Sequence, residues 1–159
     1  MSKIVWRVTY GVTGFAVAIL VTACSSGAIN WNQQPPYTLE QTWGEKGSAP
    51  GQFNNPIGIA VTDTEVFVSD ARNGRIQVFD HSGQFKRSFG TPGDGVGELG
   101  RPMNLTIHND KLYVPEYMND RIQVFSLAGE SLAVIGGPGS GPGQFNAPGG
   151  GHRQRLWSL

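Results

Sequence analysis

The chain contains a single cysteine, Cys24, among 159 residues. One thiol excludes an intrachain disulfide framework and any cluster of thiolates on a metal. Charge is sparse: Asp, Glu, Lys and Arg make up 15% of the sequence, and twelve basic residues balance twelve acidic ones. No basic run is present, so no nucleic-acid partner held by phosphate neutralisation is expected. No apolar run reaches the ~20 residues that a membrane-spanning helix needs. What the chain has in excess is glycine, 23 residues, together with ten prolines. These make up about a fifth of the sequence, against a usual share of roughly 12%. Aromatic residues stand at 10%, which argues against disorder, because disordered chains are short of large apolar side chains. Short strands joined by many turns fit this composition.

The cysteine has a telling position. Lys3 and Arg7 form a short positive start, and residues 8–23 follow without charge, with Phe15, Val17, Ile19, Leu20 and Val21 at their centre. This is the length of a secretory signal rather than of a span. The segment ends Val21-Thr22-Ala23-Cys24, which resembles the lipobox of bacterial lipoproteins. The resemblance implies cleavage after residue 23 and lipidation of Cys24. Several acyl chains anchor stably where one does not. An ordinary signal peptide with a bystander cysteine and a retained signal-anchor helix are the alternatives. Residues 24–36 are polar, uncharged and end in Pro35-Pro36, as expected of a tether. The expected location is the bacterial cell envelope, lipid-anchored at the outer membrane or at the periplasmic or extracellular face. Ser25 after the cysteine points to the outer membrane. The membrane, through the lipid anchor, is thus one expected partner.

The rest of the sequence is organised by a repeat. Gly51-Gln52-Phe53-Asn54-Asn55-Pro56 returns 46 residues later as Gly97-Glu98-Leu99-Gly100-Arg101-Pro102, and again as Gly143-Gln144-Phe145-Asn146-Ala147-Pro148. Arg75-Ile76-Gln77-Val78-Phe79 returns at the same step as Arg121-Ile122-Gln123-Val124-Phe125. Each copy carries four runs of strand character: 57–62, 65–69, 76–79 and 85–89, then 104–108, 111–115, 122–125 and 131–135. Val, Ile and Phe dominate them, and turn signals such as Asn73-Gly74, Ser82-Gly83 and Asn109-Asp110 divide them. Four short strands per repeat of this length mark the blade of a β-propeller. The predicted fold is therefore all-β: an incomplete propeller over residues 37–148, with full blades at 51–96 and 97–142. Residues 37–43 are read as one strand of a closing blade, and 149–159 as an aberrant tail.

These residues resemble the NHL repeat family, whose blade runs Gly-x-Phe-x-x-Pro, an apolar strand, a second strand ending in Asp, then Asn-x-Arg-Ile-x-x-Phe. Pro56, Asp70, Asn73, Arg75 and Phe79 occupy that pattern in the first copy, and Pro102, Asn119, Arg121 and Phe125 in the second. Glu116 stands where the pattern has Asp, and Pro115 at a strand end gives up a ladder donor. Asp70 with Arg75, and Glu116 with Arg121, are expected to pair across a tight strand connection, a structural rather than a catalytic duty. Phe53, Leu99 and Phe145 read as wedges between blades. The three prolines read as stiff starts to inner strands.

No catalytic constellation is expected. His81, His108 and His152 hold different repeat positions, and one enzyme with similar blades, the peptidyl-hydroxyglycine lyase, uses inner-strand histidines on zinc. Only His108 stands near such a place. No cofactor or metal is expected. A closed propeller has about four to eight blades, more than this repeat supplies, and after Pro148 the sequence loses its strand pattern. The expectation is therefore an N-terminal part of a longer propeller, with assembly of several chains into one ring as the alternative. The resemblance implies an envelope-anchored module that binds or scaffolds a protein, peptide or glycan. A piece of a propeller enzyme of lyase, lactonase or sugar-dehydrogenase type is the competing function.

Overall fold

The computed structural model describes residues 39–149. The signal segment, the tether with Cys24 and residues 150–159 lie outside the described residues. Leu39–Trp43 carry no strand pairing. A closing strand takes its ladder from a third strand, and the described part of that segment has none.

The repeat builds two four-stranded sheets. Strands β1 (Glu45–Lys46) and β2 (Gln52–Phe53) form a short parallel pair ahead of them. The first sheet then holds β3 (Pro56–Val61), β4 (Val66–Asp70), β5 (Arg75–Phe79) and β6 (Phe85–Phe89). The second holds β7 (Thr106–His108), β8 (Lys111–Glu116), β9 (Arg121–Ser126) and β10 (Ser131–Ile135). Each sheet is a simple antiparallel meander whose spatial order is its chain order, and the two are not joined into a closed sheet. Turn residues take backbone shapes that favour small side chains: Gly74 and Gly83 have positive φ, as do Asn109 and Asp110. This is the partial β-propeller that the repeat predicts.

The two sheets differ at their first strand. In the first, Gly58 N–H donates to the Ser69 hydroxyl at 2.6 Å, and β3 runs six residues with a bulge between Pro56 and Ile59. In the second, Pro115 replaces that serine and offers neither N–H nor hydroxyl. Pairing is reduced there to a bridge between Pro102 and Glu116, and β7 keeps only three residues of the predicted 104–108.

Alternation along the strands sends side chains to opposite faces. Phe67, Ile76 and Val78 of the first sheet lie in one buried cluster with Leu105, Leu112, Val114 and Phe125 of the second. Ala60, Phe89, Ile107 and Leu127 border it, and the Phe89 and Phe125 rings sit 5.3 Å apart. The core therefore lies between the blades, so neither sheet could keep its apolar side chains from water alone. Polar contacts cross the same seam. Arg87 grips Glu65 through two bonds of 2.7 and 2.8 Å and donates from Nη2 to the Leu127 carbonyl at 2.6 Å. Lys86 also bonds Glu65.

The innermost strands touch at Gly58. A Cβ there would lie 2.4 Å from the Met103 carbonyl oxygen and 2.7 Å from the Asn104 Cα. Backbone fills the space, so the blades can close only over hydrogen. Gly58→Ala is expected to lower stability by about 1–3 kcal/mol, the range for overpacking, read from the denaturation midpoint followed by circular dichroism. Arg87, and then Lys86, holds the Glu65 carboxyl at about 2, below its ordinary 4.5. Because the folded value lies below the unfolded one, Glu65 stabilises the fold fully above pH 4.5, and that contribution is lost as pH falls toward 2. Glu65→Gln is expected to cost about 1–2 kcal/mol at pH 7, with the gap to wild type narrowing in denaturation curves taken at progressively lower pH.

Candidate functional site

The best-ordered polar site in each blade is built on a buried carboxylate. Asp70 ends β4 and is fully buried. Its Oδ1 accepts from Asn54 N–H at 2.7 Å. Its Oδ2 accepts from Asn73 Nδ2 at 2.8 Å, Arg75 Nε at 2.9 Å and Gln77 Nε2 at 3.2 Å. The guanidinium supplies the counter-charge, so the buried pair is neutral overall and richly hydrogen-bonded, which is what makes its burial tolerable.

The same donors hold the preceding loop. Arg75 and Gln77 are two apart on β5 and so share one of its faces, and Asn73 ends the short 3-10 turn just before it. Asn73 donates to the Gly47 carbonyl at 3.0 Å, and Arg75 Nη2 to those of Ala49 at 2.9 Å and Gln52 at 3.0 Å. Gln77 donates to the Gln52 carbonyl at 2.6 Å and accepts from Gly51 N–H at 2.9 Å. Three side chains thus pin residues 47–52 to the middle of the blade, and Asp70 itself holds Asn54.

The second blade repeats the arrangement donor for donor with a longer acid, which shares the four donors two to each oxygen. Glu116, also fully buried, accepts from Gly100 N–H at 2.8 Å, Asn119 at 2.6 Å, Arg121 Nε at 2.7 Å and Gln123 at 2.9 Å. Asn119 reaches the Gly93 carbonyl, Arg121 those of Gly95 and Glu98, and Gln123 the Glu98 carbonyl and Gly97 N–H. Gly100 stands where the first copy has Asn54, and a Cβ at 100 would lie 2.4 Å from the Asn119 amide. The bare backbone there lets that amide lie close beside the longer acid.

The aromatic and glycine positions complete each loop. Phe79 packs on Phe53 and Phe85 at centroid separations of 5.6 and 5.8 Å. Leu99 is buried in the core between the blades. Gly44, Gly90 and Gly136 recur at the repeat step with φ of 83°, 83° and 79°. A Cβ on them would strike Phe53, Leu99 and Phe145 at 2.6, 2.5 and 2.2 Å. Short parallel pairings recur as well, β1 with β2, Thr91 with Glu98, and Pro138 with Phe145. Pro56 opens β3 opposite Asp70, and Pro102 bridges to Glu116.

Sequence reasoning paired Asp70 with Arg75 and Glu116 with Arg121, and marked Asn73 and Asn119 only as positions of the repeat. It missed Gln77 and Gln123, both fully buried and each completing a carboxylate's ring of donors. Their signal was identity at the repeat step inside an otherwise apolar strand.

The two described histidines lie in different places. His81 bonds the Thr62 carbonyl at 2.9 Å in a surface turn, His108 ends β7, and His152 lies outside the described residues. Among the described residues no group of three or more metal-ligating side chains comes together. Between the blades the loops leave an open groove of about 530 Å³, lined by Arg72, Pro92, Asp94, Arg101, Met118 and Asn119 among others. Arg101 lies over the Tyr117 ring at 4.9 Å. Met118 and Tyr117 are exposed. The groove offers one acidic and two basic side chains, with Pro92, Leu99 and Met118 as its apolar lining.

If the buried carboxylates fasten the loops, Asp70→Asn removes the charge that Arg75 faces and is expected to cost about 3 kcal/mol or more. Glu116→Asp, which keeps the charge, is expected to cost less than Glu116→Gln. Urea denaturation of the three variants beside wild type checks both statements.

Known proteins share this repeat. The family model described as NHL repeat matches residues 53–79. The protein brain tumor of Drosophila melanogaster is 46% identical over 48 residues, 30% of this chain and 5% of that protein. The E3 ubiquitin-protein ligase TRIM32 of Mus musculus is 52% identical over 44 residues, 27% of this chain and 7% of that protein. The B-box type zinc finger protein ncl-1 of Caenorhabditis elegans is 49% identical over 45 residues, 28% of this chain and 5% of that protein. The chain thus spans only a small part of the length of these relatives. A crystal structure of an exported protein from Bacteroides fragilis superposes with a TM-score of 0.51 at 21% identity, over 60% of this chain and 27% of that one. That likeness concerns the fold. The chain thus carries an NHL repeat at residues 53–79, resembles NHL-repeat proteins over that stretch, and folds its two repeats into four-stranded sheets consistent with a partial β-propeller.

Proposed function

We propose that this chain is a binding or scaffolding module held at the bacterial cell envelope by a lipid on Cys24. The observation that carries the binding role is how the polar chemistry is used. Both buried carboxylates are surrounded by donors from their own blade and loop, so the reactive-looking acids and guanidines are committed to structure. What remains accessible is the loop-lined groove, with Arg72, Asp94, Arg101 and Met118 presented on rigidly pinned turns. Loops fixed on a stiff sheet scaffold are where binding surfaces concentrate. NHL repeats serve as protein-interaction modules, which supports a protein or peptide ligand, and a glycan fits the same mixed lining. Anchoring rests on the sequence of residues 3–24, with its basic start, apolar run and terminal cysteine.

In a bacterial host, the full chain is expected to incorporate labelled palmitate and to sediment with membranes. Cys24→Ser is expected to lose the label, and label retained by that variant would overturn the anchor. Arrayed peptides and glycans probed with the full chain test the binding role: Arg101→Glu is expected to weaken a bound ligand by about tenfold, the effect of reversing one contact charge. Binding that is indifferent to Arg101 and Met118 substitutions would place the contact surface elsewhere.

A further inference from the structure

The groove is where the repeats stop agreeing. Arg72, Asp94 and Arg101 line it. The same repeat positions hold Met118 in place of Arg72, Ser48 and Ser140 in place of Asp94, and Asn55 and Ala147 in place of Arg101. None of the three charges is therefore required by the blade pattern, and none enters the rings of donors around Asp70 and Glu116. The turn of one blade and the loop leading into the next gather them at one place.

Arg101 is the sharpest case. It stands before Pro102 with φ of 58°, whereas a residue ahead of proline is ordinarily extended. Asn55 and Ala147 take the same turn at 60° and 48°, and asparagine is among the residues that tolerate it best. Arginine is a costlier choice for this backbone, so the reason for it lies in its side chain. That side chain lies over the Tyr117 ring at 4.9 Å, and the first blade has Ala71 in the place of Tyr117. The backbone beneath is latched, since the Arg101 and Gly100 carbonyls accept from Tyr117 and Met118 N–H at 3.1 Å each. Arg101 Nε is buried without a hydrogen-bond partner, and among the described residues neither Arg72 nor Arg101 pairs with a carboxylate. A planar cation is thus stacked on a ring and left without an anion.

We infer that the groove takes a peptide through one Asp or Glu carboxylate seated on Arg101, with Arg72 as the second cation; this rests on the groove being the binding surface. Guanidinium and carboxylate are planar partners that match through two hydrogen bonds. Two cations and one anion leave a single net positive charge, which suits one carboxylate, and Asp94 disfavours a polyanion. Pro92 and the exposed Met118 receive an apolar side chain beside the acid, and an unbranched thioether adapts to several shapes. A peptide fits better than an acidic sugar because the ring on which a sugar would stack, Tyr117, already carries the guanidinium.

Capped hexapeptide pools with Glu, Gln or Lys fixed at one central position, carrying a neutral fluorophore and titrated with the full chain in mild detergent, test this by fluorescence anisotropy. Wild type is expected to bind the Glu pool about tenfold more tightly than the other two, the difference made by one charge-assisted pair. Arg101→Asn supplies the residue that the first repeat uses at this position. Its thermal midpoint is expected at or above that of wild type, while the preference for the Glu pool is lost. Equal affinity for the Glu and Gln pools, both abolished by Arg101→Asn, would overturn the carboxylate and leave the groove as the binding surface. Tighter binding of an oligogalacturonate than of the Glu pool would overturn the peptide. Binding indifferent to both Arg101→Asn and Met118→Lys, or no binding of the Glu pool, would overturn the inference, and the first of these would remove the groove as the binding surface as well.

Discussion

A carboxylate withdrawn from water must be met by hydrogen-bond donors, and in this chain that requirement organises each blade. Asp70 and Glu116 sit at the buried end of a strand and gather four donors apiece. One donor comes from the backbone of the incoming loop, and three come from side chains on the next turn and strand. Those three side chains hold further backbone groups of the same loop. The loop that leads into a blade is therefore tied to that blade's centre, and loop position follows from strand position. Remove the charge and the donors lose the point on which they converge.

The remaining features depend on that fixed loop. Phe53 and Leu99 enter beside their blades because the loop carries them there, and Gly44 and Gly90 lack side chains where those wedges press. Strand β3 then starts at Pro56 directly opposite Asp70, so the acid also sets the register of the first ladder. Packing between blades follows from alternation along strands whose register is set in this way. Polar order comes first in this architecture, and the apolar seam is aligned by it.

Much of this was legible in the sequence because a strict 46-residue step carries its own internal check. The step located eight strands to within a residue or two, and it paired Asp70 with Arg75 and Glu116 with Arg121. Gln77 and Gln123 escaped because alternation in Ile-Gln-Val-Phe reads a polar residue as facing solvent. Here it faces a buried carboxylate, and periodicity alone cannot tell those two surroundings apart. The shortening of β7 was half-visible, since Pro115 was known to lack a donor. The lost Ser69 hydroxyl, which a proline cannot replace, became apparent only once its bond to Gly58 was seen.

The most direct test of the central claim is native-state amide hydrogen exchange at Asn54 and Gly100. Both lie in loops, where amides ordinarily exchange fast, yet each donates to a buried carboxylate at 2.7 and 2.8 Å. The account predicts that these two amides exchange as slowly as those of β5 and β9, opening only when the blades unfold. Exchange at the rate of an unprotected loop, with β5 and β9 still protected, would contradict it.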